Sequence, residues 1–177
     1  MLEKNKELWE RCVAFHGHAC GGLAVGYQAS LYAMELLGVS GRAQDEELVC
    51  VTENDACGVD AVQAVLGCTV GKGNLIFRMT GKQAFNFFDR QSGKGVRLLL
   101  RATPGLSRQE RESWLMHGDF HEMFDVGPAR VALPETARIF KTCTCAKCGE
   151  RMAESHAHLQ NGEIVCDDCF APYTRGL

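Results

Sequence analysis

Residues 15–22 read FHGHACGG, placing His16, His18 and Cys20 at every second position. Imidazole and thiolate are donors that borderline-soft zinc accepts together. If this stretch is extended, alternation aims all three side chains the same way. A fourth donor, Cys57, follows in Glu53-Asn54-Asp55-Ala56-Cys57-Gly58. It falls between an expected strand and an expected helix, where free N–H groups and the helix dipole favour a thiolate. In α/β layers, ligands bind at the carboxyl ends of strands. His16, His18, Cys20 and Cys57 are therefore the candidate ligands of a site for zinc or another divalent metal. Glu53 and Asp55 are candidates to orient a histidine. The bland alternative is a histidine-rich turn with buried thiols. Cys57, His18 and His16 are also the candidate catalytic residues. Three or fewer protein ligands leave a position open for water, or Cys57 acts as a nucleophile beside a histidine.

The second constellation lies near the C-terminus. Cys145-Ala-Lys-Cys148 and Cys166-Asp-Asp-Cys169 are two CxxC knuckles separated by 17 residues. Each knuckle aims two thiolates at one point, and two knuckles complete a tetrahedron around a structural zinc. Cys143 is left over as a spectator, and His156 and His158 read as surface residues. From Lys141 onward there are four basic residues against five acidic ones, so the basic face of a nucleic-acid-binding zinc module is missing. Protein contact suits this tail better.

Two other motifs fail. Gly67-Cys-Thr-Val-Gly-Lys-Gly73 is one residue short of a P-loop, and no Ser or Thr follows Lys72. His121-Glu122 begins an HExxH that lacks its second histidine. His117 and His121 stand one helical turn apart and read as exposed or as lining a subunit contact.

The elements that must position these residues follow from periodicity. Residues 3–14 read as a short amphipathic helix and Leu23 to Leu37 as a helix apolar on most faces, hence buried. Gly22, Gly26 and Ser30 form a stripe on it that allows close packing. Glu47 to Thr52 reads as a buried strand, and a helix from about Cys57 to Leu66 ends at Gly67. Leu75 to Thr80 and Gln83 to Phe88 flank Gly81-Lys82 as an expected hairpin, and Val96 to Thr103 is a third strand. Ser107 and Glu110 form a capping box that opens a helix expected to run to about Phe124. Strands and helices mix without strict alternation, which predicts an α+β fold with a mixed sheet flanked by helices. A linker at 127–142 with Pro128 and Pro134 divides the chain into an expected domain at 1–134 and a small zinc finger at 135–177.

The 177 residues are 46% hydrophobic and 23% charged, enough for a normal core. A net charge of −3 supplies no global field toward nucleic acid or anionic lipid. The charged N-terminal stretch lacks a signal peptide's apolar run, and the apolar helix is too short and polar to span a bilayer. A cytoplasmic protein is expected, and its clustered cysteines are then metal ligands rather than disulfides.

FHGHACGGLAVGYQAS, ENDACGVDAVQAVLGCTVGKGNLIF and GKQAFNFF with SGKGVRLLL resemble the FmdE-like family of formylmethanofuran dehydrogenase proteins over roughly residues 10–102. The tail is similar to the treble-clef module that some members carry. The resemblance implies a metal-binding active site built from the HGH stretch and Cys57, and a dimer, which the all-round apolar helix also suits. The chain departs from the family pattern at Gly21, where the motif carries proline. Members are often encoded beside molybdenum or tungsten formylmethanofuran dehydrogenase, so the implied role is accessory or partner protein to such a metalloenzyme. The alternatives are a metal-dependent enzyme acting on a carbonyl or formyl one-carbon substrate, and a zinc-dependent scaffold or regulatory protein.

Overall fold

The computed structural model describes residues 2–103 and 105–175. They form two compact units, Met1–Ala137 and Arg138–Leu177.

In the first unit, α1 (Leu2–His16) is stopped by Gly17, whose φ of +94° no L side chain adopts cheaply. Cys20 then opens α2 (Gly21–Leu37), accepting the Leu23 N–H at its own sulfur. β1 (Leu48–Thr52) is buried throughout. A crossover through α3 (Gly58–Leu66) leads to β2 (Leu75–Phe77), parallel to β1. β3 (Ala84–Asp89) and β4 (Gly95–Leu100) continue the sheet antiparallel, in the order β2-β1-β3-β4, with a fifth strand beyond β4. The fold is α+β with a mixed sheet.

Strand alternation divides the apolar residues between two faces. Cys50, Phe85, Phe87 and Leu98 join Leu23, Val62 and Val65 of the helices in the main core. Val49, Val51 and Phe88 point the other way, where Ala129, Val131 and Leu133 cover them. The all-round apolar character of α2 is met inside this unit, since eleven of its residues are buried there.

Two expectations are corrected. The hairpin around Gly81-Lys82 does not form, because β1 lies between β2 and β3. The intervening loop is held instead by the end of β1: Thr80 and Gly81 N–H groups both donate to the Glu53 carbonyl at 3.1 and 3.0 Å. The helix expected to reach Phe124 breaks at Gly118, which caps α4 (Arg108–His117). A four-residue α5 (Phe120–Met123) follows, then β5 (Phe124–Pro128), paired antiparallel with β4 and taking in the first two residues of the expected linker. His117 and His121 therefore do not share a helical face. His121 instead bonds Asp119 at 2.7 Å and Glu35 at 2.9 Å, tying α5 to α2.

Glu53 is 1% exposed and forms a bidentate pair with Arg97 at 2.6 and 2.9 Å, with Asn86 and Thr80 donating to it. The Arg97 hydrogen bonds pull its carboxyl down to about 2. This buried pair joins β1 to β3 and β4. It has no histidine to orient.

The second unit consists of two hairpins, β6 (Thr142–Thr144) with β7 (Arg151–Ala153), and β8 (Ala157–Gln160) with β9 (Glu163–Cys166). Among the described residues no helix follows the second knuckle, and the arrangement is zinc-ribbon-like.

Candidate metal centres

In the first unit, His16, Cys20 and Cys57 bring their ligand atoms within 4.8 Å of one another. His16 comes from the last turn of α1, Cys20 from the N-cap of α2, and Cys57 from the residue before α3. His16 Nε2 lies 3.9 Å from Cys20 Sγ. Tetrahedral donors about 2.0–2.3 Å from a zinc stand roughly 3.5–3.8 Å apart, so the three donors fit such an ion with small adjustments.

The packing that brings them together is unusually close. A Cβ at Gly26 would fall 1.9 Å from the Gly58 carbonyl oxygen, and one at Gly22 would fall 3.2 Å from Cys57 Cβ. The stripe of small residues on α2 thus admits the N-terminus of α3, carrying Cys57 beside Cys20. Gly21 is the first residue of α2, a position whose backbone suits proline, although a Cβ there would meet Leu115 Cδ1 at 3.0 Å. Cys20 has φ −150° and ψ 162°, extended as a residue before proline must be. The family departure leaves Cys20 in place.

His18 is where the sequence-based expectation and the structure differ. The HGHAC stretch is not extended: Gly17 turns the chain between two helices, so alternation does not govern it. His18 is exposed and lies outside the three-donor group, its ring 4.7 Å from that of His16. The residue that sequence reasoning missed is Asp60. Its Oδ2 lies 2.7 Å from His16 Nδ1 and accepts that N–H, leaving Nε2 for the sulfurs. The available signal was Cys57-x-x-Asp60, one turn apart at a helix start. Asp55 is exposed, and among the described residues no hydrogen bond joins it, or the buried Glu53, to a histidine. The Cys57 thiol is raised rather than lowered, by burial and then by its hydrogen bond to Cys20.

The donors sit between two clefts. Cys20 and Ala56 line one of about 590 Å³, and His16, Ala56 and Cys57 line another of about 340 Å³.

In the second unit, Cys145, Cys148, Cys166 and Cys169 meet within 4.8 Å, and Cys143 stays outside. N–H groups of Cys148, Cys166 and Lys147 draw Cys145 down to about 6. The hydrogen bond to Cys166, followed by burial, pushes Cys169 up to about 12. Four sulfurs with no open position suit a structural ion. His156 and His158 are not among them, and both bond the Asp167 carboxylate.

A mixed α+β unit with a three-donor His–Cys–Cys cluster, joined to a four-cysteine ribbon, defines a cysteine-rich protein equipped to hold metal. The family model described as "FmdE, Molybdenum formylmethanofuran dehydrogenase operon" matches residues 15–149, and the chain belongs to this FmdE family. That span includes the His16–Cys20–Cys57 cluster and the first knuckle only. A protein of Archaeoglobus fulgidus described as a "probable S-adenosyl-L-methionine-binding protein" is 31% identical over 172 residues, 79% of this chain and 47% of that protein. The chain thus spans about half the length of this curated relative. The crystal structure of a tungsten formylmethanofuran dehydrogenase FmdE-like protein from Syntrophus aciditrophicus superposes with a TM-score of 0.66 at 24% identity. The match covers 93% of this chain and 91% of that one, and shows the shared fold. Among the described residues no helix is long and apolar enough to cross a membrane.

Proposed function

We propose that this chain is a zinc protein with two dissimilar sites: a closed structural one in the tail, and a His16–Cys20–Cys57 site that keeps a coordination position for an outside ligand. One observation carries this reading: three donors, not four, converge beside two clefts. Bound there, the metal supplies Lewis acidity toward a carbonyl or formyl oxygen. The chain's own residues do the positioning. Asp60 fixes the tautomer of His16, the Leu23 N–H holds the Cys20 sulfur, and Gly22 leaves room for Cys57. The convergence of Cys57 with His16 and Cys20 favours the role of ligand over that of free nucleophile. The test is metal analysis of the full chain during chelator competition. Two equivalents are expected, the faster-exchanging one lost in Cys57→Ala. A single equivalent indifferent to Cys57→Ala overturns the reading.

A second reading makes the chain an accessory protein of a molybdenum or tungsten formylmethanofuran-dehydrogenase-type enzyme. The operon named in the family description supports it. A defined complex with the purified enzyme on gel filtration is the expected result, and separate elution at micromolar concentrations counts against it. A homodimer is proposed on family grounds, to be checked by sedimentation.

A further inference from the structure

The 590 Å³ cleft holds more than one wall of the metal cluster. With Cys20, its lining includes the exposed Arg108 and Arg111 and apolar side chains such as Leu100 and Leu115. The two arginines are three residues apart on α4 and so share one side of it. Elsewhere in this unit Arg90, Arg97 and Arg101 each pair with a carboxylate. Among the described residues, the Arg108 and Arg111 side chains make no ion pair or hydrogen bond. Glu112 also lines the cleft, and leaves the pair of arginines one positive charge in excess.

Resting on the open-site reading above, we propose that this cleft selects a small organic acid. A metal-ligating head sits at the Cys20 end, an apolar stem lies along the leucines, and a carboxylate is received by Arg108 and Arg111. Guanidinium groups match carboxylates in shape and stay charged at any working pH. The apolar side chains pack against the stem, and the charge excess discriminates against neutral and cationic molecules.

The test uses the full chain loaded with cobalt(II), whose visible absorption reports ligands at the open position, while the four-cysteine tail, with no position to offer, stays constant. The probes are 3-mercaptopropionate and neutral 2-mercaptoethanol. Wild type should bind the acid about tenfold more tightly, the worth of partly screened charge-assisted hydrogen bonds. Arg108→Ala with Arg111→Ala should erase that preference and leave mercaptoethanol binding unchanged. Glu112→Gln should strengthen acid binding, an effect that damage to the fold cannot mimic. Equal affinity for both thiols in wild type, or an unchanged preference in the double variant, overturns the proposal. So does an unchanged affinity in Glu112→Gln, which decides the matter if the alanines disturb the cobalt spectrum. Absence of any Cys57-dependent cobalt signal overturns the metal-site reading itself, and this proposal with it. A normal signal without acid preference overturns this proposal alone.

Discussion

The two cysteine clusters are assembled in opposite ways. In the tail, each pair of sulfurs comes from one turn of four residues, and the hairpins around them bury little: Cys145 and Val165 are the only fully buried apolar residues described there. In the first unit, His16, Cys20 and Cys57 come from three helices held by a shared core. A site that makes its own fold must fill all its positions with protein ligands, because the metal is the core. A site held by a fold built for other reasons can leave a position open. Closure and dependence on metal therefore go together.

The sharpest way to break this contrast is Cys148→Ser with Cys169→Ser. Structural zinc in small modules contributes on the order of 10–16 kcal/mol, so the tail should lose its metal equivalent and its structure. The first unit should melt unchanged. A full equivalent retained by this variant would refute the assignment.

Glu53→Ala tests the other half. Removing one partner of a buried pair costs about 3–5 kcal/mol, and the first unit should lose that stability while the tail keeps its metal. The same carboxyl sets an acid limit. Its pKa is depressed from the ordinary 4.5 to about 2, so its contribution is complete above about pH 4.5 and fades as pH falls through 2. At roughly 1.4 kcal/mol per pH unit this amounts to about 3 kcal/mol. Circular dichroism of the first unit should show this acid-dependent loss, and Glu53→Gln should flatten it. An identical acid profile in Glu53→Gln rules out this origin.

Smaller effects sharpen the ligand set. Asp60→Asn should weaken the first unit's metal about 10–100-fold, as loss of a histidine's orienting carboxylate does elsewhere, without touching the tail. His18→Ala should change it by no more than about twofold, as expected of an exposed side chain. If His18→Ala releases the metal and Asp60→Asn does not, the His16 assignment is wrong.

The CxxC pairs, the buried strand Leu48–Thr52, the glycine-stopped helices and the capping box of Ser107 and Glu110 were legible because each is decided within a few residues, by sterics, periodicity or local hydrogen bonds. The same holds for the small-residue stripe of α2. The meeting of the His16 stretch with Cys57 was also visible, since donor chemistry at a loop and at a helix start limits the options. Which histidine joins it was not. A single positive φ at Gly17 rotates His18 out of the group, and Asp60 becomes meaningful only once α1 lies against α3. Likewise Phe124–Pro128 carries little strand character of its own. It is a strand because β4 offers it unpaired backbone groups, and β2 separates from β3 because β1 satisfies both. Short-range interactions thus determined the elements and the donors. The pairing of strands and the choice of histidine beside the two cysteines were decided by tertiary packing, where each backbone group and each side chain takes the partner that the whole core leaves within reach.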